Sequence, residues 1–294
     1  MYNSSGEEYM VELQQIQFEG FKDALCLSNG IVKLVVTVDA GPRVLFYGYE
    51  NGQNFFHIFD DGKNPCDDGE WHSYGGHRLW YAPETIDRTY YPDNKPVDWA
   101  FENGVLTLFC PDEVSRSLGK RIAITLAENS TEVKVEHTLK NIGLWPVEVS
   151  VWCLSVMERG GTLKIAAPKF IPHGGGEGQT FQPARSIVIW PFTPMGDERL
   201  NWGSDFISMR QDDAVPGKLK FGMLNEHGYA LYELNGEVFR KDFPCIADAC
   251  YPDMNCNCEF YTEPGFLEIE SLSPVTKLAE GAEVTHTEYW SLSR

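Results

Sequence analysis

The sequence has 294 residues, of which 43% are hydrophobic and 23% charged, a balance that argues against a disordered chain or a coiled coil. Its 24 basic and 43 acidic side chains give a formal net charge of −19. This charge argues against nucleic acid and anionic membranes as partners, because both attract clusters of Lys and Arg. The first 20 residues show no basic stretch followed by an apolar one, and no apolar run approaches the roughly 18 residues of a membrane helix. We therefore expect a cytoplasmic protein.

The predicted elements are almost all β-strands, because residues of alternating polarity recur and helical periodicity is rare. A first hairpin joins residues 31–38 to residues 44–49 through Gly41-Pro42-Arg43, and an Asn51-Gly52 turn follows. Further strands are predicted at 105–110, 120–126, 132–139, 147–156, 186–190, 229–234, 259–262, 266–271 and 288–292. This rhythm predicts an all-β, mostly antiparallel sandwich that forms one domain over 1–294, with 1–20 as a peripheral segment.

Two glycine- and proline-rich stretches, 60–96 and 168–183, interrupt the strands, and the second is predicted to be a flexible flap. The first contains Gly75-Gly76, which lets the backbone approach another group closely, and then Arg78, Trp80 and Glu84. Aromatic faces pack against the C–H side of a sugar ring, while Arg and carboxylates bind hydroxyl groups. The segment therefore suggests a sugar site, and the alternative is a polar loop in which Arg78 pairs with Glu84 or with a distant acid.

A second candidate is the strand 266–271, which carries Glu268 and Glu270. Side chains two residues apart on a strand share a face, so the two carboxylates would lie close together. Burial or a neighbouring cation would adjust their pKa values for general acid or base catalysis. Alternation alone favours the opposite interpretation, a solvent-exposed pair with Leu267 and Ile269 packed inward.

Three further features are weaker. Trp152 would be either a platform for a sugar or part of the core, and Lys220 would either reach a pocket or be solvated. Cys245, Cys250, Cys256 and Cys258 do not have the spacing of paired zinc knuckles. We predict neither a metal nor a cofactor.

Five segments in order resemble the galactose mutarotase-like superfamily, which includes the aldose 1-epimerases. They are the glycine-led hairpin 41–52, the Gly75-Gly76-His77-Arg78 segment, the strand 137–141 followed by Pro146, the strand 266–274 and the closing segment 278–289. Within that superfamily the chain looks closest to its DUF4380-type bacterial branch. The resemblance implies a β-supersandwich with a small-molecule carbohydrate as its partner.

The resemblance also implies roles for individual residues. Glu270 matches the glutamate that takes the proton of the C1 hydroxyl group, with Glu268 as the fallback, and Arg78 matches the substrate-binding arginine. Trp80, Glu84, Trp152, His72, Lys220 and Glu268 are expected to bind the sugar.

One part of the family pattern is missing from this sequence. The family's catalytic histidine has no counterpart in residues 150–157, so we expect His77, or else His72 or His173, to reach the site from a loop. Two functions stay open: an isomerase that interconverts anomers, and a non-catalytic sugar-binding protein that has lost its histidine.

Overall fold

The computed structural model describes residues 11–60, 65–168, 170, 173 and 186–294. Within them lie 21 strands, two four-residue helical segments, α1 (Ile86–Thr89) and α2 (Pro252–Asn255), and a three-residue 3-10 turn at Val114–Arg116. The strands are β1 (Glu12–Phe18), β2 (Phe21–Ser28), β3 (Val32–Thr37), β4 (Arg43–Tyr49), β5 (His77–Ala82), β6 (Asp98–Glu102), β7 (Val105–Phe109), β8 (Leu118–Leu126), β9 (Val133–Asn141), β10 (Val147–Met157), β11 (Thr162–Ala166), β12 (Ile187–Ile189), β13 (Leu200–Trp202), β14 (Phe206–Arg210), β15 (Leu219–Met223), β16 (Tyr229–Leu234), β17 (Glu237–Asp242), β18 (Cys258–Glu263), β19 (Phe266–Leu272), β20 (Thr276–Leu278) and β21 (Glu283–Ser293).

The strands form two sheets, and every strand pair is antiparallel. The first sheet runs β1-β2-β3-β4-β5-β10-β19-β18-β15-β12, with β20 also paired to β10. The second runs β13-β14-β11-β16-β17-β21-β9-β8-β7-β6. The predicted antiparallel β-sandwich is confirmed.

Alternation along the strands builds the core between the sheets. In β8, Ile122 and Ile124 are buried while Arg121 and Ala123 on the other face are partly exposed. One cluster of buried apolar side chains takes members from both sheets, among them Val151 of the first and Ile122 of the second. That the chain forms a single domain stays a prediction.

The structure differs from the sequence prediction chiefly where a strand is buried on both faces. β5 lies inside the stretch predicted to be irregular, and all six of its residues are buried. Its polar and apolar residues do not alternate, because neither face meets bulk water. Of the predicted peripheral segment, residues 12–18 form the edge strand β1, and residues 1–10 lie outside the described part. So does most of the predicted flap. No described helix is long and apolar enough to span a membrane.

Candidate functional site

A cavity of about 620 Å³ lies on the face of the first sheet that points away from the second sheet. Its floor is formed by β5, β10, β19, β18 and β15, which are adjacent in that sheet. The cavity brings together seven of the nine side chains predicted from the sequence, namely Arg78, Trp80, Glu84, Trp152, Lys220, Glu268 and Glu270.

Strand alternation explains why the two carboxylates of β19 reach this floor. Leu267 and Ile269 pack into the core between the sheets, so Glu268 and Glu270 point to the opposite face. The interpretation of this face as solvent-exposed is wrong. Glu270 is fully buried and the Glu268 side chain is 14% exposed, because β19 is central in its sheet and aromatic side chains wall the cavity.

Glu270 is held by a cation and an indole. Lys220 Nζ lies 3.0 Å from Glu270 Oε2 and 2.7 Å from Glu259 Oε2, and Trp152 Nε1 donates to Glu270 Oε2 at 2.9 Å. Although burial opposes a charged lysine, the two carboxylates raise the pKa of Lys220 above its usual value. Lys220 is therefore a buried cation of the site, and the solvated alternative is wrong.

Arg78 and Glu268 form a second ion pair, with Arg78 Nη2 at 3.3 Å from Glu268 Oε1. The guanidinium also lies over the ring of Trp80, 4.0 Å from its centroid. Burial raises the pKa of Glu268 to about 7, although Arg78 opposes that shift. Of the two partners considered for Arg78, the structure shows the distant acid, Glu268. Glu84 accepts a hydrogen bond of 2.5 Å from Tyr90 Oη.

Several buried polar atoms of the cavity lack a hydrogen-bond partner within the described structure. They are Arg78 Nε and Nη1, Trp71 Nε1 and Glu270 Oε1. Buried polar groups in native proteins are almost always paired with protein or with an ordered molecule. These atoms are therefore the hydrogen-bonding positions of the cavity that the described protein does not itself satisfy.

Aromatic rings form the cavity walls, and sequence reasoning missed several of them. Trp71 packs on Trp80 with ring centroids 5.7 Å apart, and Trp190 lies over Lys220 Nζ at 4.7 Å. Tyr261 on β18 lines the cavity opposite Glu268. A sequence pattern could have identified Tyr261. Glu259 and Tyr261 are two residues apart in the predicted strand that precedes β19, so their side chains share one face of that strand.

The two histidines expected at the site lie elsewhere. His77 directly precedes Arg78 on β5, so its side chain faces the core, where it is fully buried and contacts Ser155 and His137 at 2.9 and 2.7 Å. His72 Nε2 lies 2.8 Å from Asp68 Oδ2 and is not among the cavity side chains. His173 is exposed in the stretch that is mostly undescribed. No described histidine lines the cavity.

His77 belongs instead to a polar group between the sheets, called here the core cluster: His77, His137, Ser155, Lys241, Ser271, His286 and Glu288. Two sets of potential metal ligands occur in and beside it, His77-His137-Glu288 and Cys153-His286-Glu288. The Lys241 ammonium lies 2.8 Å from Glu288 Oε1, so the cluster already contains a cation. Hydrogen bonds within the protein account for its geometry.

Comparison with known proteins bears on the fold. No protein-family model matches the chain, and no curated protein matches it either. A galactose mutarotase-like protein from Lactobacillus casei superposes with a TM-score of 0.55 over 92% of this chain and 100% of its own, at 10% identity. One from Clostridium acetobutylicum gives 0.56 over 97% and 99%, at 9% identity.

The fold is the galactose mutarotase-like β-sandwich. At these identities the likeness concerns the galactose mutarotase-like fold alone, and membership of the DUF4380-type branch stays a prediction. Substrate and activity have to be argued from the cavity.

Proposed function

We propose that the cavity binds a neutral sugar and interconverts its anomers, with Glu270 as the general base. The observation that carries this proposal is that only one oxygen of the Glu270 carboxyl group has hydrogen-bond partners within the described residues. Its Oε2 accepts from Trp152 Nε1 and Lys220 Nζ, while its buried Oε1 has no partner. A carboxylate fixed through one oxygen and free at the other can accept a proton from a bound hydroxyl group.

Mutarotation needs such a base at C1. Removal of the C1 hydroxyl proton and protonation of the ring oxygen open the ring, and closure on the other face of the aldehyde gives the second anomer. Lys220 and Trp152 hold the Glu270 carboxyl group in place, because both donate to its Oε2. The resemblance of the strand 266–274 to the family's glutamate-bearing strand supports the same assignment.

The charges of the cavity favour an uncharged sugar. Four carboxyl groups, Glu84, Glu263, Glu268 and Glu270, line the cavity against three cations, Arg78, Lys218 and Lys220. Arg78 and Lys220 already contact carboxyl groups. This excess of acidic groups, together with the net charge of −19, disfavours an anionic substrate such as a sugar phosphate. Trp71, Trp80 and Trp152 provide aromatic faces for the C–H side of a pyranose ring.

A non-catalytic sugar-binding protein is the second candidate. The observation that favours it is that the described cavity wall contains no histidine to protonate the ring oxygen. A binder would use the same aromatic and polar side chains, but without transfer of a proton.

Anomer exchange followed by NMR over a panel of neutral aldoses tests the proposal. We expect the wild type to accelerate exchange of at least one aldose, and Glu270→Gln to reduce the rate by about 10²–10⁴-fold, the usual value of a general base. The control is Glu233→Gln. Glu233 lies on β16, outside the cavity, and its carboxylate is 2.6 Å from Lys164 Nζ. Binding of an aldose without acceleration would support the second candidate.

A further inference from the structure

We propose that Glu268 is the proton donor of this site, in the role for which the cavity offers no histidine. This inference rests on the proposed function, since a proton donor has meaning only if the sugar ring opens. It is carried by the position of Glu268 beside Glu270, by its ion pair with Arg78 and by the charge balance of the cavity floor.

Position is the first argument. Glu268 and Glu270 are two residues apart on β19 and both line the cavity. A sugar that lies across this strand contacts both carboxyl groups. One of them can take the proton of the C1 hydroxyl group while the other protonates the ring oxygen, which is bonded to the same carbon.

Charge balance is the second argument. Three carboxyl groups, Glu259, Glu268 and Glu270, share two cations, Lys220 and Arg78. One proton on the carboxyl groups would therefore make the group neutral, as its burial favours. Lys220 Nζ holds its carboxylates at 2.7 and 3.0 Å, whereas Arg78 lies 3.3 Å from Glu268. Burial also raises the pKa of Glu259 well above its usual value, but Glu259 does not line the cavity, so of these two carboxyl groups only Glu268 is placed to pass a proton to a bound sugar.

The surroundings of Glu268 support a protonated carboxyl group near neutral pH. Burial raises its pKa most, the Glu270 and Glu84 carboxylates raise it further, and Arg78 and Lys220 lower it; the result is a pKa of about 7. The other titratable side chains that act on Glu268 or face the same cavity are Tyr90, Lys218, Glu259, Tyr261 and Glu263. A donor with this pKa is suited to proton transfer at physiological pH.

The proposed step balances in protons and electrons. The Glu270 carboxylate takes the C1 hydroxyl proton, and the electron pair of that O–H bond forms the C=O bond of the aldehyde. The C1–ring-oxygen bond breaks, and its electron pair stays on the ring oxygen, which takes the proton of Glu268. After rotation about C1–C2 the same transfers run in reverse and close the ring on the other face.

The two carboxyl groups of this exchange lie beside different cations, Glu270 beside Lys220 and Glu268 beside Arg78. Before ring opening the negative charge is on Glu270 beside Lys220, and afterwards it is on Glu268 beside Arg78. The net charge of the cavity floor is unchanged, so no charge has to be created in a buried site. Arg78 is therefore expected to stabilise the ring-opened state.

The test compares kcat/KM for anomer exchange of a neutral aldose over pH 5–9 in the wild type and in Glu268→Gln. The amide keeps the shape of the side chain and can still accept from Arg78. We expect the wild-type rate to fall above pH about 7 as Glu268 loses its proton. The variant should be slower by about 10²–10⁴-fold at pH 6 and lack this alkaline decline. The control is Glu283→Gln. Glu283 lies on β21, its carboxylate is 3.4 Å from Arg121, and the variant should keep the rate and the pH profile of the wild type.

Four outcomes would overturn the proposal, and they are distinguishable. If the wild type is active and Glu268→Gln keeps both the rate and the alkaline decline, Glu268 is not the donor, while the proposed function stands. If Glu259→Gln alone removes the decline, Glu259 carries the proton. If the wild type accelerates no exchange, the proposed function fails and the donor role falls with it. The fourth outcome does not depend on a folded variant: a carboxyl ¹³C titration of Glu268 with a pKa below about 5, its ordinary range, would also contradict the role.

Discussion

The molecule contains two buried glutamates that are each held by a lysine and a tryptophan, one in the core and one in the cavity. In the core cluster, Glu288 Oε1 contacts Lys241 Nζ at 2.8 Å and Oε2 accepts from Trp290 Nε1 at 2.8 Å. In the cavity, both donors, Lys220 and Trp152, bind the same oxygen of Glu270, and the other oxygen has no partner. The same three residue types therefore satisfy both carboxylate oxygens of Glu288 in the core cluster but only one oxygen of Glu270 in the cavity.

The difference follows from what covers each glutamate. The core cluster lies between the sheets, so β5, β10 and β19 of the first sheet and β9, β17 and β21 of the second all supply partners to it. The cavity floor has the first sheet on one side only, so among the described residues no second sheet supplies a donor to Glu270 Oε1. Glu270 thus differs from Glu288 in two respects: one of its oxygens has no hydrogen-bond partner in the described part of the chain, and it lines a cavity that a ligand can enter.

The largest expected effect comes from breaking the Lys241–Glu288 ion pair of the core cluster. Lys241→Met removes the cation from a fully buried pair and leaves the Glu288 charge without it, which should lower the free energy of unfolding by about 3–5 kcal/mol. Urea unfolding measures the change. Lys140→Met is the control, because Lys140 is half-exposed and 3.6 Å from Glu283, and its effect should stay within about 0.5 kcal/mol. A similarly small loss for Lys241→Met would mean that the core cluster is not a structural unit.

A smaller effect distinguishes the core cluster from the cavity by the sign with which stability depends on pH. Burial lowers the pKa of His286 in the core cluster to about 3, so the unfolded chain takes up a proton first when the pH falls below about 6.5. Burial raises the pKa of Glu268 to about 7, so there the folded protein takes up the proton first. Acidification therefore weakens the contribution of His286 to stability and strengthens that of Glu268.

The measurement is the stability cost of His286→Gln and of Glu268→Gln between pH 6.5 and 5. We expect the cost to shrink for the core variant and to grow for the cavity variant, each with a slope approaching about 1.4 kcal/mol per pH unit. Slopes of the same sign would show that the two regions do not differ in the way described.

Much of the fold and of the cavity could be predicted from the sequence. Half-exposed strands such as β8, β9 and β16 show alternation and were located within a few residues. The arrangement of Arg78, Trp80 and Glu84 after two glycines indicated a sugar site, and all three side chains line the cavity. The resemblance to the mutarotase-like superfamily gave the fold, which the structure confirms.

The rest depends on which face of a strand a residue occupies and on what covers that face. His77 and Arg78 are adjacent in the sequence but lie on opposite faces of β5, so one belongs to the core and the other to the cavity. Lys220 and Glu268 looked solvated because alternation does not reveal the aromatic walls. Trp190 reaches the site from β12 and the loop after it, more than 100 residues from Arg78, and no local pattern could have placed it there.

The central claim is that the unpartnered polar atoms of the cavity are the binding positions of a neutral sugar. A crystal structure of the protein soaked with the aldose that it turns over fastest tests this most directly. The account predicts that sugar hydroxyl groups, at 2.7–3.2 Å, pair with Glu270 Oε1 and with Arg78 Nε or Nη1, and that the ring oxygen faces Glu268. A sugar bound elsewhere, or one that leaves Glu270 Oε1 unpaired, would contradict it.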